Sequence, residues 1–299
     1  MTWTPEAVTS RRSLILVLVP FVLAAALLVV ACGGENGGTA SPSPTATHEA
    51  SPSPQPTATT GGGTTTVLVY FLRGEKLGTA ERRVPETRAV AQAAMTALCG
   101  GPTRAERAAG LGTAVPAGTE LLGVSIDGTT ATVDLSGEYA SGGGSLSMMA
   151  RVAQVVYALT QFKTVRAVEL MLDGKPLEAL GGEGIMLGTP QRRADWDGFE
   201  PPIFVERPGV GAIVASPFVV QGRATVFEAT VNISLLDADG SPLVATYATA
   251  TMGAPGRGSF SKAIRFTHGA GHGWVVAYEA SAKDGSHLNE VRVPVTFAE

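Results

Sequence analysis

From Gly33 to Thr66 the chain contains no Val, Ile, Leu, Met, Phe, Trp or Tyr. Such a stretch cannot bury enough apolar surface to offset the entropy of ordering it. Any folded core therefore begins at Val67, which leaves residues 67–299 of a 299-residue chain. That length suits two domains of ordinary size. The stretch itself is mostly Gly, Ser, Thr, Pro and Ala, with repeats such as Ser41-Pro42-Ser43-Pro44 and Ser51-Pro52-Ser53-Pro54. It reads as a disordered tether over 32–64. A tether of that length spans about 30–35 Å as a coil and roughly 100 Å as polyproline II.

The residues before it are of the opposite kind. Leu14 to Ala31 is an uncharged apolar run preceded by Arg11 and Arg12, and no later stretch approaches its length. At most one membrane segment is expected. This run accounts for much of the mean hydropathy of +0.20. It ends at Val29-Val30-Ala31-Cys32-Gly33, which resembles a bacterial lipobox, with Val29 and Val30 standing where Leu and a smaller residue are usual. The resemblance implies that Cys32 is lipidated, that 1–31 is a lipoprotein signal peptide, and that the protein is extracytoplasmic and lipid-anchored to the cell membrane. An uncleaved anchor is the alternative. Ser10-Arg11-Arg12-Ser13 is also similar to a twin-arginine export signal, and plain positive charge before the apolar run explains it equally well.

Cys99 is the second of two cysteines. With Cys32 consumed by lipid, no disulfide framework is available. Cys99 closes a helical segment at Ala97-Leu98-Cys99-Gly100-Gly101-Pro102 and reads as a small buried hydrophobe. A nucleophilic Cys needs a nearby base, and no His lies between His48 and His268.

A cluster of Gly, Pro and Asp around Trp196, from Gly188 to Pro202, divides the remainder. The first part, 65–190, mixes helix and strand. Thr66 to Leu72 is β-rich. Thr87 to Cys99 carries Ala and Val at helical spacing and stops at Gly100-Gly101-Pro102. Thr103-Arg104-Ala105-Glu106 fits a capping box opening a short helix. Asp127-Gly128-Thr129 joins two strands as a hairpin turn. A helix over Leu146–Phe162 and a strand over Ala167–Leu172 complete an α/β (α+β) domain. The second part, 200–299, alternates apolar and polar residues at Phe227–Leu235, at Trp274, Val276 and Tyr278, and at Val291–Phe297, with turns about every ten residues. It reads as an all-β sandwich of immunoglobulin type without the disulfide.

These residues resemble two families. The strand with Tyr70-Phe71, the helix ending Leu98-Cys99-Gly100-Gly101-Pro102, Val115-Pro116-Ala117-Gly118-Thr119, Ala131 to Ser136, and Val168 to Asp173-Gly174 resemble a GerMN domain, named from a sporulation and spore-germination protein. Pro208-Gly209, Ser216-Pro217, Val220-Gln221-Gly222-Arg223-Ala224, Val226-Phe227-Glu228-Ala229 and Val293-Pro294-Val295 resemble the immunoglobulin-like domain of bacterial spore-germination proteins. Gly-x-Ala followed by Phe-Glu-Ala is the most specific piece. The resemblance implies an exported envelope protein linked to sporulation, germination or wall assembly, with no agreed catalytic constellation.

Little in the sequence points to chemistry. The formal charge is −4, which argues against a nucleic-acid partner. His268-Gly269-Ala270-Gly271-His272 is the one candidate metal pair, but its glycines forbid a helix and two ligands are too few unless His287 converges. Asp237-x-Asp239-Gly240 has half the acids of a Ca²⁺ loop and reads as a hairpin turn. Ser141 to Ser145 lacks the Lys and spacing of a phosphate loop. Glu228 is expected on the polar face of a strand. No catalytic residue, cofactor or defined binding residue is expected. The reading is a non-catalytic envelope lipoprotein that binds or scaffolds a protein or cell-wall partner. The alternatives are a peptidoglycan hydrolase or modifier, and a small-solute-binding lipoprotein with a cleft near Trp196.

Overall fold

A hairpin, rather than the lone strand expected from the sequence, opens the fold. The computed structural model describes residues 62–182 and 184–298. The expected signal peptide, lipidation at Cys32 and nearly all of the tether lie outside them. Strand β1 (Thr64–Arg73) pairs antiparallel with β2 (Lys76–Pro85), Thr64 opposite Pro85 and Arg73 opposite Lys76. The sequence hid β2 because its charged residues, Glu81, Arg82 and Arg83, break the apolar signal. Val67 to Leu72 of β1 are buried without alternation. This is the pattern of a strand covered on both faces.

Helix α1 (Val90–Cys99) starts three residues later than its sequence pattern suggested, and α2 (Arg104–Ala108) follows. The capping box is formed: Glu106 N donates to Thr103 Oγ1 at 3.2 Å, and Thr103 N donates to Glu106 Oε2 at 2.6 Å. Strands β3 (Leu121–Asp127) and β4 (Thr130–Leu135) form the hairpin around Gly128-Thr129. Helix α3 (Ser145–Thr160) crosses to β5 (Ala167–Leu172), which lies parallel to β4. The short β6 (Lys175–Pro176) completes a sheet ordered β3-β4-β5-β6, and β7 (Ala179–Leu180) pairs with β8 (Ile185–Met186).

The rest is an all-β sandwich. Its strands are β9 (Ile203–Arg207), β10 (Ile213–Val214), β11 (Phe218–Ala224), β12 (Thr230–Asp237), β13 (Pro242–Thr249), β14 (Gly258–Ile264), β15 (Gly271–Ala280) and β16 (His287–Phe297). One sheet runs β10-β16-β15-β12-β13 and the other β14-β11-β9. Gly222 permits β11 to lie this close to β9, since a Cβ there would sit 1.9 Å from the Phe204 carbonyl oxygen.

Two details of the expected alternation need correcting. Phe227-Glu228-Ala229 is a tight turn with Glu228 at φ 53°, not the start of a strand, and Phe227 is 66% exposed. The inward positions of β15 are Val275 and Ala277, opposite Leu235 and Ile233. Trp274 and Tyr278 lie on the outer face, where the Arg292 guanidinium covers Trp274 at 5.5 Å and the His287 ring stacks on Tyr278 at 3.5 Å. Apolar content alone could not distinguish the faces because both are covered. The buried apolar residues of both halves form one continuous core.

Candidate functional site

The junction between the α/β half and the sandwich is built from main chain first. Val210 N donates to Thr79 O at 2.9 Å, and Glu81 N donates to Val210 O at 2.8 Å, so the segment after β9 lies parallel beside β2, with Val210 opposite Ala80. Thr79 Oγ1 adds a bond to Val205 O at 3.2 Å. The contact requires Gly209: a Cβ there would lie 2.9 Å from the Ala80 carbonyl carbon and 3.0 Å from Glu81 N. Pro208-Gly209, met in the sequence as a family-like motif, is thus where one half docks on the other.

Side chains fill the seam. Tyr70 from β1, Tyr157 from α3 and Phe204 from β9 pack as three rings, with centroids 5.6, 6.3 and 6.1 Å apart. Aromatic pairs at such spacing stabilise beyond the area they bury. Two charged nodes flank them. Arg193 donates to Glu206 Oε1 at 2.6 Å, to Tyr70 OH at 2.9 Å and to Thr160 Oγ1 at 2.8 Å, and its guanidinium lies 4.6 Å from the Tyr157 ring centre. Glu200, with no exposed side chain, accepts from Tyr157 OH at 2.6 Å and Arg223 at 2.7 Å. Burial raises the Tyr70 and Tyr157 hydroxyls well above the usual phenol range, so both stay protonated donors. Burial alone would lower Arg193, but Tyr70 and Glu206 outweigh it and hold the guanidinium charged. Buried charges persist only when paired in this way. The cavity of about 270 Å³ beside Arg193 is lined in part by Tyr70, Thr160 and Glu206, whose polar atoms are bonded to Arg193.

The sequence placed a possible cleft near Trp196. The structure does not: Trp196 is buried, its Nε1 donates to Gln191 Oε1 at 3.2 Å, and Phe199 packs 6.3 Å away. Openings between the halves lie elsewhere, and one of them is wide. A groove of about 510 Å³ runs between α2, through Ala105 and Ala108, and the outer face of the sandwich at Trp274, Pro294 and Thr296. Its floor includes Val210, so the groove exists only because the halves are joined. A second, more polar cleft of about 830 Å³ lies within the α/β half. Cys99-Gly100-Gly101-Pro102 lines it together with Val115 and Ala117-Gly118-Thr119, which unites two motifs that are separate in the sequence.

The other candidates separate. His268 is in a loop, 5.0 Å from the Phe297 ring. His272 is in β15 opposite Thr296, while His287 is opposite Ala280 at the far end of the same strand pair. Eight residues of strand put about 26 Å between them, so His287 does not join His268 and His272. Among the described residues no group of three His, Cys, Asp or Glu side chains is placed to hold a metal. Asp237 Oδ1 accepts from Asp239 N at 3.0 Å and Ser241 N at 2.8 Å, which makes a hairpin turn. The loop at Ser141–Ser145 turns carbonyls of Ser141 and Gly142 onto Arg151, both at 2.9 Å, rather than amides toward an anion. Cys99 is half-buried and unpaired. Reasoning from sequence missed Arg193, Glu200 and Glu206, all three near or within the stretch set aside as an interdomain break. The one available signal was a pair of arginines and several acids close to an isolated Trp.

Residues 68–178 match the family model Germane, described as sporulation and spore germination. Residues 202–286 match Gmad2, the immunoglobulin-like domain of bacterial spore germination. Similar solved structures include the first GerMN domain of the sporulation protein GerM from Bacillus subtilis, at 24% identity and TM-score 0.39, covering 44% of this chain and 99% of that one. The tandem GerMN domains of the same protein match at 20% identity and TM-score 0.41, covering 68% of this chain and 62% of that one. No curated protein matches the sequence.

Proposed function

From a chain that joins a Germane domain to a Gmad2 domain, we propose a non-catalytic, lipid-anchored envelope protein whose folded halves act as one binding body in a spore-germination-associated role. The observation that carries this reading is the groove between α2 and the sandwich, which neither half makes alone. The main-chain bridge at Val210, the ring cluster and the two charged nodes favour a fixed recognition surface over a clamp that opens and closes. Ala105, Ala108, Val210 and Trp274 make the groove mainly apolar. An apolar protein segment matches that lining better than a glycan, which needs many donors and acceptors.

A photo-crosslinking residue at Ala108 or Thr296, in the full chain in its own membranes, tests this. Both positions are expected to yield the same protein adduct, and a crosslinker at Asp197, away from the groove, is expected not to. Cys32→Ser is expected to release the protein from the membrane and to remove the adduct. A protein that stays membrane-bound at unchanged size with Cys32→Ser would remove the lipid anchor from this reading. Release of soluble muropeptides from purified sacculi by the full chain would replace it with the hydrolase alternative.

A further inference from the structure

Strand β3 is the outer strand of its sheet, and among the described residues no main-chain bond reaches its free side. Strands with such an edge are usually guarded by Lys, Pro or an inward-facing charge. Leu121 to Asp127 contains no Lys, Arg or Pro. It instead exposes Leu122 by 50% and Ile126 by 46%. We propose that this edge pairs antiparallel with β3 of a second copy of this chain, in the register that sets Val124 opposite itself.

The register follows from the ladder. Asp127 and Thr130 flank a two-residue turn and are paired with each other, so Asp127, Ser125 and Gly123 direct their main-chain groups toward β4. Val124 and Ile126 therefore direct theirs to the open side. Residues that point outward pair with residues that point outward. Centring the pair on Val124 sets Ile126 of each copy opposite Leu122 of the other, so each exposed apolar side chain meets an apolar partner. The acids do not meet: Asp127 falls opposite Leu121, and Glu120 opposite Gly128. A foreign strand has no such built-in match, which favours a second copy as the occupant. One device limits the edge. Leu121 faces Leu135 and Gly123 faces Asp134, so Leu122 is a bulge residue, and bulges shorten the run over which an edge can pair. The ladder is short, and association is accordingly weak in dilute solution and strong where copies are concentrated, as on one membrane surface.

Val124→Cys in a Cys99→Ala background of the full chain, mildly oxidised in membranes, tests the register. Val124 is the one position of the strand that meets its own counterpart, so a disulfide-linked dimer of twice the chain mass is expected. Ser125→Cys faces Gly123 of the partner and is expected to give at least five-fold less. Adding Ile126→Lys, at a half-exposed site that tolerates charge, is expected to remove most of the Val124→Cys dimer while far-ultraviolet circular dichroism stays unchanged. Equal trapping at 124 and 125, no dimer from a folded Val124→Cys chain, persistence of the dimer with Ile126→Lys, or an adduct of a different mass would each overturn the proposal.

Discussion

Tyr157 donates its hydroxyl to Glu200 across 2.6 Å, tying α3 to the segment that enters the sandwich. The same oxygen takes Arg223 at 2.7 Å, while Arg257 Nε approaches the other oxygen at 3.3 Å as an ion pair without hydrogen-bond alignment. Removing the carboxylate leaves two part-buried guanidinium groups without their buried anion. Glu200→Ala is therefore expected to cost about 3–5 kcal/mol, the range for breaking one side of a buried pair. Tyr157→Phe is expected to cost about 1–3 kcal/mol. Because both act on one node, the double variant should cost measurably less than the sum in denaturant titrations. Strict additivity would show that the two residues are not coupled.

Gly209 governs the main-chain contact. Its missing Cβ is replaced by the backbone of Ala80 and Glu81 at 2.9 and 3.0 Å, and neither can rotate away. Gly209→Ala is expected to cost about 1–3 kcal/mol, as overpacking does. It should also turn a single thermal transition into two as the halves lose their common bridge. Gly123→Ala, where nothing lies within 4 Å of the added atom, is the matched control and should keep one transition. A single transition in Gly209→Ala would show that the side-chain nodes alone hold the halves together.

The order of elements was largely readable because it rests on local signals: the stop at Gly100-Gly101-Pro102, the capping box at Thr103, the turn at Gly128. What escaped was set by tertiary packing. Strand β2 carries charges because Arg82 reaches Glu106 at 2.9 Å on α2, a partner that sequence spacing does not reveal. Phe227 stands at the head of an alternating pattern, yet the left-handed backbone at Glu228 and Ala229 turns the chain there. The junction was least legible of all. Arg193, Glu200 and Glu206 acquire meaning only when Tyr70 and Tyr157 arrive from elements about 120 and 40 residues away.

Glu106 links the capping box to the first hairpin and makes the fold acid-sensitive. Burial alone would raise its pKa, but bonds from Arg82 and Thr103 outweigh burial and hold it below the usual carboxylate range. A pKa depressed in the folded state means that the unfolded chain binds the proton more readily. The stabilisation is then complete above the unfolded value of about 4.3 and is lost as pH falls through the folded one. Wild type is expected to lose thermal stability below about pH 4. Glu106→Gln should be less stable than wild type at pH 7, and the gap should narrow by pH 3. A constant gap between pH 7 and pH 3 would place the acid sensitivity elsewhere.

Cys99 tests whether the α/β cleft holds a nucleophile. Burial pushes its thiol up to about 11, and the opposing main-chain hydrogen bond is the weaker effect. At pH 7.5 fewer than about one thiol in a thousand is then ionised, against about one in ten for an ordinary cysteine. A more basic thiolate is also a better nucleophile, which returns roughly a factor of ten. Cys99 in a Cys32→Ser chain is therefore expected to react with iodoacetamide about 20-fold more slowly than a free cysteine, followed by mass spectrometry of its peptide. The rate should rise close to tenfold per pH unit from 8 to 10. A rate that levels off below pH 9 would mean an activated thiol, and the cleft lined by Cys99, Val115 and Thr119 would then have to be read as a reactive site rather than a packed helix end.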